Sequence, residues 1–140
     1  MTLPFLCVNY DAPPMSVTTL MSRHHLVNLK CSGSIWGMRF YLGGGIVASI
    51  IMGNHAYCEP RKYNQDINDY TQVEVAFMEE SSGEWVNIVQ LLEKEFDESE
   101  LSNKIKGMFE SSEYYLCPYA QIVDIHMLFT LIEEFQNEEI

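Results

Sequence analysis

The stretch that decides the fold is IWGMRFYLGGGIVASIIMGNHAYCEPRKYNQDINDYTQVEVAFM, residues 35–78. Its first part, Ile35–Leu42, alternates between two sets of side chains with a period of two, which is typical of a half-buried strand. Gly43–Gly45 follow, and three consecutive glycines suit a tight reversal because glycine adopts positive φ without steric cost. Ile46–Met52 is an unbroken apolar run, which favours a central strand covered on both faces. These segments together predict a β-hairpin.

The rest of this stretch predicts a long loop and a third strand. Gly53–Thr71 is rich in turn-forming residues, and loops of this length in compact domains are often functional. Gln72–Met78 alternates again and predicts a strand with one solvated face. After a turn at Ser81–Gly83, the apolar spacing fits either a helix or a second hairpin, and we favour a short strand from Glu84 that leads into a helix.

Helices are predicted on both sides of this sheet. Ser16 is a suitable N-cap for a helix whose apolar face continues to Val27, and Ser99 caps another helix. Pro118 suits the first turn of a final helix, and its apolar face over residues 119–136 would fit a core or a homodimer contact equally well.

Residues Leu3–Tyr10 predict one further strand ahead of these elements. We therefore expect a single α+β domain over residues 1–140, with an antiparallel sheet of three to five strands covered by N- and C-terminal helices.

Composition places the chain among globular proteins. It has 140 residues, of which 47% are hydrophobic, and 17 Phe, Trp and Tyr side chains. No apolar run approaches the roughly 20 residues that span a bilayer, and Met1–Val8 lacks the basic start of a signal peptide. These features predict a cytoplasmic protein whose cysteines are reduced.

Charge is distributed unevenly along the chain. Residues 1–78 contain five acids and five bases, whereas residues 79–140 contain fifteen acids and three lysines, so the second part carries the whole net charge of −12. Such an excess disfavours direct binding of nucleic acid, because phosphates would be repelled. It is typical of a solvated surface, and it is also compatible with an acidic face that docks on a basic protein or mimics nucleic acid. The residues of this predicted acidic face are Glu79, Glu80, Glu84, Glu93, Glu95, Asp97, Glu98 and Glu100.

The loop over residues 53–71 offers a second candidate site. It combines tyrosines with the one basic pair in the middle of the chain, and Tyr and Arg are enriched at binding hot spots. Such a loop could bind a partner or sequester a small, nucleotide-like anion. Its candidate residues are His55, Tyr57, Arg61, Lys62, Tyr63 and Tyr70.

Catalytic and metal-binding patterns are weaker. Cys58 with His55 as base has the residue types of a nucleophilic pair, but the sequence supplies no orienting third member or oxyanion motif. The same pair could hold zinc only if His24, His25 or Cys31 were brought to it by the fold. We therefore expect no cofactor, no metal and no enzymatic activity, with a Cys58-dependent enzyme as an alternative.

The order of segments over residues 39–78 resembles that of small accessory proteins of tailed bacteriophages. The shared features are a strand, a glycine turn, the VASII strand, a Gly53-to-Tyr57 step, a polar insert and the VEVAFM strand. The resemblance implies a phage-encoded protein that acts in the cytoplasm of a host cell. Combined with the charge pattern, it predicts a non-enzymatic inhibitor or modulator of a host protein, one that itself binds nucleic acid or opposes phage infection.

Overall fold

The computed structural model describes residues 15–92 and 100–138, with the backbone only for residues 100–102, 137 and 138. The described chain forms five strands and four α-helices. In chain order they are α1 (Val17–Arg23), β1 (His25–Ser32), β2 (Ile35–Gly43), β3 (Ile46–Gly53), β4 (Gln72–Glu79), α2 (Ile88–Leu91), α3 (Glu100–Gly107), β5 (Leu116–Gln121) and α4 (Ile122–Glu138).

The five strands form one antiparallel sheet in the order β1-β2-β3-β4-β5, so each strand pairs with its neighbour in the sequence. At its centre, Met38 lies opposite Ile50, and Ile50 lies opposite Val75. All three side chains are at most 1% exposed. Because side chains alternate along a strand, this register assigns one face of the sheet to the core.

Helix α4 covers that face. The ring of Phe129 contacts the rings of Phe40 and Phe77 at centroid distances of 5.4 and 6.1 Å, and all three side chains are 0% exposed. Ile125 and Ile132 lie one turn away on either side of Phe129 and are also buried. The apolar face that suggested a homodimer contact over residues 119–136 is thus covered by this chain's own sheet.

The α+β class and the central hairpin are confirmed, and so is the antiparallel sheet. Strands β2, β3 and β4 each extend one residue beyond the predicted bounds. Ser16 caps α1 through a hydrogen bond from the Thr19 amide to its hydroxyl, as predicted. In place of the predicted strand from Glu84, a single bridge pairs Trp85 with Met78 before α2 begins. Leu3–Tyr10 and Ser99 lie outside the described residues.

Two predicted helix boundaries were wrong. The first helix ends at Arg23, and His25, Leu26 and Val27 belong to β1, where Val27 is an extra residue between Leu26 and Asn28 in a β-bulge. The last helix begins at Ile122, because Pro118 lies within β5.

Within residues 15–92 and 100–138, none of the helices combines the length and the apolar character that crossing a membrane requires.

Candidate functional site

The described part of the predicted acidic face lies at the end of β4. Glu79 is the last residue of that strand, and the chain turns back so that its amide donates to the carbonyl of Glu84 at 2.8 Å. The Glu80 amide donates to the carbonyl of Gly45, in the turn between β2 and β3. Backbone hydrogen bonds therefore fix all three acidic residues at one end of the sheet.

The carboxylates at this end are not paired with bases in the described part of the chain. Glu79 accepts hydrogen bonds of 3.0 Å from the hydroxyls of Ser81 and Ser82, and neither Glu80 nor Glu84 forms an ion pair with a described lysine or arginine. Glu93, Glu95, Asp97 and Glu98 lie outside the described residues, and of Glu100 only the backbone is described.

An aromatic pair, the exposed Trp85 and the half-buried Tyr115, adjoins these acids. Trp85 follows Glu84 directly, and its ring stacks on that of Tyr115 at a centroid distance of 4.9 Å and an interplanar angle of 18°. Trp85 is 56% exposed, the largest exposed fraction among the large apolar side chains in the described part of the chain. Its bridge to Met78 places it on the sheet face that α4 leaves uncovered. We name Glu79, Glu80, Glu84, Trp85 and Tyr115 the acidic end.

The loop between β3 and β4 is ordered by its own hydrogen bonds. The Tyr70 hydroxyl donates to the carbonyl of Lys62 and accepts from the amide of Asn64, both at 2.7 Å. The Trp36 indole donates to the Asn64 carbonyl at 2.9 Å. Tyr70 is 1% exposed, so it holds the loop to the core and is not available to a ligand.

Other loop side chains are exposed and meet a residue of β5. The Arg61 guanidinium lies 5.0 Å from the centre of the Tyr57 ring, and the ring of Tyr119 lies 5.9 Å from that of Tyr57. The Tyr119 amide donates to the Tyr57 carbonyl, and the Tyr57 amide donates to Glu74. We name Tyr57, Arg61 and Tyr119 the tyrosine cluster. Lys62, Tyr63 and His55 are also exposed but make no ring contact with it.

Backbone strain occurs at both candidate sites, since Tyr114, which directly precedes Tyr115 of the acidic end, has a φ of 53°. Tyr119 has a φ of 50° and His55 a φ of 67°, values that residues other than glycine rarely adopt. Tyr119 lies in the β-bulge of β5, where the pairing with β4 shifts between Val73 and Val75. Strained residues of this kind are often found at functional sites.

The structure does not give Cys58 the surroundings of a nucleophile. Its side chain is 0% exposed and its thiol donates to the carbonyls of Gly53 and Pro60. Burial raises the pKa of the thiol, which disfavours the reactive thiolate. His55 is exposed and does not hydrogen-bond to Cys58 Sγ.

Across the two described stretches of the chain, no group of three or more His, Cys, Asp or Glu side chains is placed to hold a metal ion. The exposed Cys31 and the buried Cys58 and Cys117 are free thiols. Burial raises the pKa of Cys117 to about 12.

Two histidines, His24 at the end of α1 and His126 in α4, come together in the fold. His24 bonds to Glu133 through one ring nitrogen and to His126 through the other, at 2.9 and 2.8 Å. The three residues come from opposite ends of the described chain, so no sequence spacing links them.

Comparisons of the chain with protein-family models, with curated proteins and with solved structures found no match. The resemblance to phage accessory proteins therefore stays a prediction, and function has to be argued from the geometry of the acidic end and the tyrosine cluster.

Proposed function

We propose that this protein is a non-enzymatic binding protein that docks on a basic surface of another protein through its acidic end. The observation that carries the proposal is the stack of the exposed Trp85 on the half-buried Tyr115, beside three carboxylates that have no described basic partner. Tryptophan and tyrosine are among the side chains most enriched at interface hot spots, because they remove a large apolar area from water at little cost in side-chain entropy.

Charge and shape have separate roles in this proposal. The carboxylates attract a basic partner over distance and orient its approach, an effect that salt weakens within a Debye length of about 8–10 Å. The indole face of Trp85 favours lysine or arginine through cation–π attraction. The acidic end thus offers both charge and an aromatic surface to the same kind of side chain.

The class of partner follows from the predicted resemblance. If the chain is a phage accessory protein, its basic partner is a host protein, and a partner that itself binds nucleic acid would be inhibited by competition. This part of the proposal depends on the sequence pattern of residues 39–78, whereas docking through the acidic end depends on the geometry.

Reversing two charges at the acidic end should abolish capture of the partner. The wild-type protein is used to capture its partner from a bacterial lysate. We expect the variant carrying Glu80→Lys and Glu84→Lys to capture none of that partner, because positive charges would then face each other across the contact. The melting temperature should stay within a few degrees, since both side chains are exposed. The wild-type capture should also weaken steeply as salt rises.

A matched control separates location from net charge. The variant carrying Glu59→Lys and Asp69→Lys changes the net charge by the same amount at exposed sites outside the acidic end. This control variant should still capture the partner, whereas the Trp85→Ala variant should fail to capture it. Equal loss in both charge variants would indicate a general charge effect and contradict docking at the acidic end. Reversal of Glu93, Glu95 and Glu98 then tests whether the surface extends into that segment.

The tyrosine cluster supports a second candidate function, the binding of a nucleotide-like anion. Arg61 belongs to a chain of net charge −12, yet in the described residues its guanidinium packs on Tyr57 and forms no ion pair with a carboxylate. Its N–H donors are therefore available to a phosphate, and the exposed tyrosine rings offer a surface on which a base can stack.

A thermal-shift series tests this candidate. Mononucleotides and cyclic nucleotides should raise the melting temperature, since a ligand at 100 times its Kd adds about 2.7 kcal/mol to the free energy of unfolding. Arg61→Ala and Tyr57→Ala should remove the shift. Arg39→Ala removes an exposed arginine elsewhere in the sheet and should leave the shift unchanged. A shift that survives Arg61→Ala would locate the ligand at another site.

A further inference from the structure

A continuous chain of hydrogen bonds joins Glu133, His24 and His126. Glu133 Oε1 lies 2.9 Å from His24 Nδ1, and His24 Nε2 lies 2.8 Å from His126 Nδ1. The side chain of His24 is 2% exposed, and its ring meets the edges or faces of Phe40 and Phe129. Both ring nitrogens of His24 therefore have hydrogen-bond partners inside the protein.

The contact between the two imidazole rings has room for one hydrogen atom. One ring nitrogen donates and the other accepts. The bond therefore exists when both rings are neutral, and also when one of them has taken up an additional proton. In the singly protonated pair, His24 can donate from both nitrogens, to the Glu133 carboxylate and to His126. A second proton would put N–H groups on both facing nitrogens, which removes the bond and places two positive charges side by side.

The surroundings of His126 disfavour the binding of that second proton. Burial lowers the pKa of His126 below the ordinary histidine value of 6.5, and the charges of His24 and Arg23 lower it further, whereas Glu133 acts in the opposite direction. These are the charged groups that α1 and α4 bring to the ring, and the sheet adds the uncharged Phe40 beside His24. A freed His126 would bind a proton more readily than a packed one, so falling pH favours the freed form.

We infer that Glu133, His24 and His126 form an acid-sensitive latch. The latch holds the end of α1 on α4 while the histidine pair has gained at most one proton relative to its neutral state, and it releases α1 when the pair gains a second. His24 directly follows Arg23, the last residue of α1, and His25 begins β1. Opening the latch therefore loosens α1 and the start of an edge strand, while the acidic end, which is attached to β4 three strands away, keeps its structure.

Hydrogen exchange of backbone amides tests the latch in the wild-type protein. After correction for the intrinsic effect of pH, the α1 amides should exchange up to about tenfold faster per pH unit as the pH falls from ~7.5 to ~5, because opening takes up one proton. The amides of the central strand β3 should keep their protection. Unchanged exchange in α1 would overturn the inference, and so would an equal loss of protection in β3, which indicates global unfolding.

A pair of histidine variants separates the latch from general acid effects. His126→Leu cannot bind the second proton, so the extra exchange of α1 at low pH should disappear. His25→Leu removes an exposed histidine that adjoins His24 in sequence and packs edge-on against Tyr41, and it should preserve the wild-type behaviour. Persistence of the pH effect in His126→Leu would overturn the inference.

Direct titration of the wild-type imidazoles by NMR covers the case in which His126→Leu does not fold. The His126 ring should take up its proton below the ordinary histidine value of 6.5, in step with the change in the α1 amides. Protonation of His126 without any change in α1 would overturn the inference.

Discussion

Phe129→Ala should lower the free energy of unfolding by about 3–5 kcal/mol, the usual cost of removing a fully buried aromatic ring. Phe129 is 0% exposed, and its ring contacts those of Phe40 and Phe77 on the sheet and that of His24. Alanine would leave a cavity between α4 and the sheet that rigid strand backbones cannot close. Small domains are stable by only about 5–15 kcal/mol, so the variant should be close to its unfolding threshold at room temperature.

Urea unfolding followed by far-ultraviolet circular dichroism measures this loss. The midpoint should fall while the m-value stays the same, since the same surface is exposed on unfolding. Trp85→Ala is the control, because it deletes a larger ring that is 56% exposed, and it should change the stability by no more than about 1 kcal/mol. A loss in Trp85→Ala equal to that in Phe129→Ala would contradict the assignment of the core to the α4 side of the sheet.

Gly53→Ala should cost about 3 kcal/mol or more, although it adds one methyl group. Gly53 has a φ of +127°, a conformation that L side chains rarely adopt. A Cβ there would collide with the carbonyl oxygen of Ser34 and lie 3.1 Å from the Cα of Ile35. Both obstacles are backbone atoms where the neighbouring strand β2 begins, so no rotation of a side chain relieves the contact.

Gly37→Ala is the matched control in the neighbouring strand. Gly37 lies opposite Ile51 in the sheet, and an added Cβ would meet no atom within 4 Å. Alanine should therefore be neutral or stabilise the protein by about 0.4–1 kcal/mol, because it restricts the unfolded chain more than glycine does. The two variants should shift the thermal midpoint in opposite directions, and a similar effect of both would contradict the close approach at Gly53.

The middle of the sheet was predictable because its strands alternate without interruption. β2 and β4 read directly as strands from their side-chain period, and the glycines between β2 and β3 marked the turn. The edge strands were missed for a physical reason. In β1 the extra residue Val27 sets Leu26 and Leu29 opposite Phe40 and Met38, so two residues three apart lie on the same face. Val27, which the predicted helix used as the last residue of its apolar face, is the residue that this bulge leaves without a partner in β2.

The other edge strand, β5, also contains a β-bulge. In β5, Cys117 and Ala120 lie opposite Val75 and Val73, again three residues apart on one face because the strand has an extra residue. Pro118 then suggested the start of a helix, whereas an edge strand tolerates proline because one side of its backbone is unpaired. Period and composition cannot reveal a bulge, since its cause lies in the partner strand.

The candidate sites were predictable only as sets of residues near one another in sequence. The acidic run and the tyrosines of the loop are visible in the chain, but Tyr115 and Tyr119 come to Trp85 and Tyr57 through the pairing of β4 with β5. Tyr70 could not be distinguished from its exposed neighbours, because its burial depends on hydrogen bonds to the loop backbone.

The bulges of β1 and β5 also bear on how the protein behaves when crowded. An unpaired strand at the border of a sheet is a template on which another chain can grow into a fibril. Here each border is interrupted by an extra residue, so the hydrogen-bonding groups that it offers to an incoming strand fall out of step at the bulge. The irregularities that hid these strands from sequence inspection thus protect the folded molecule from aggregation.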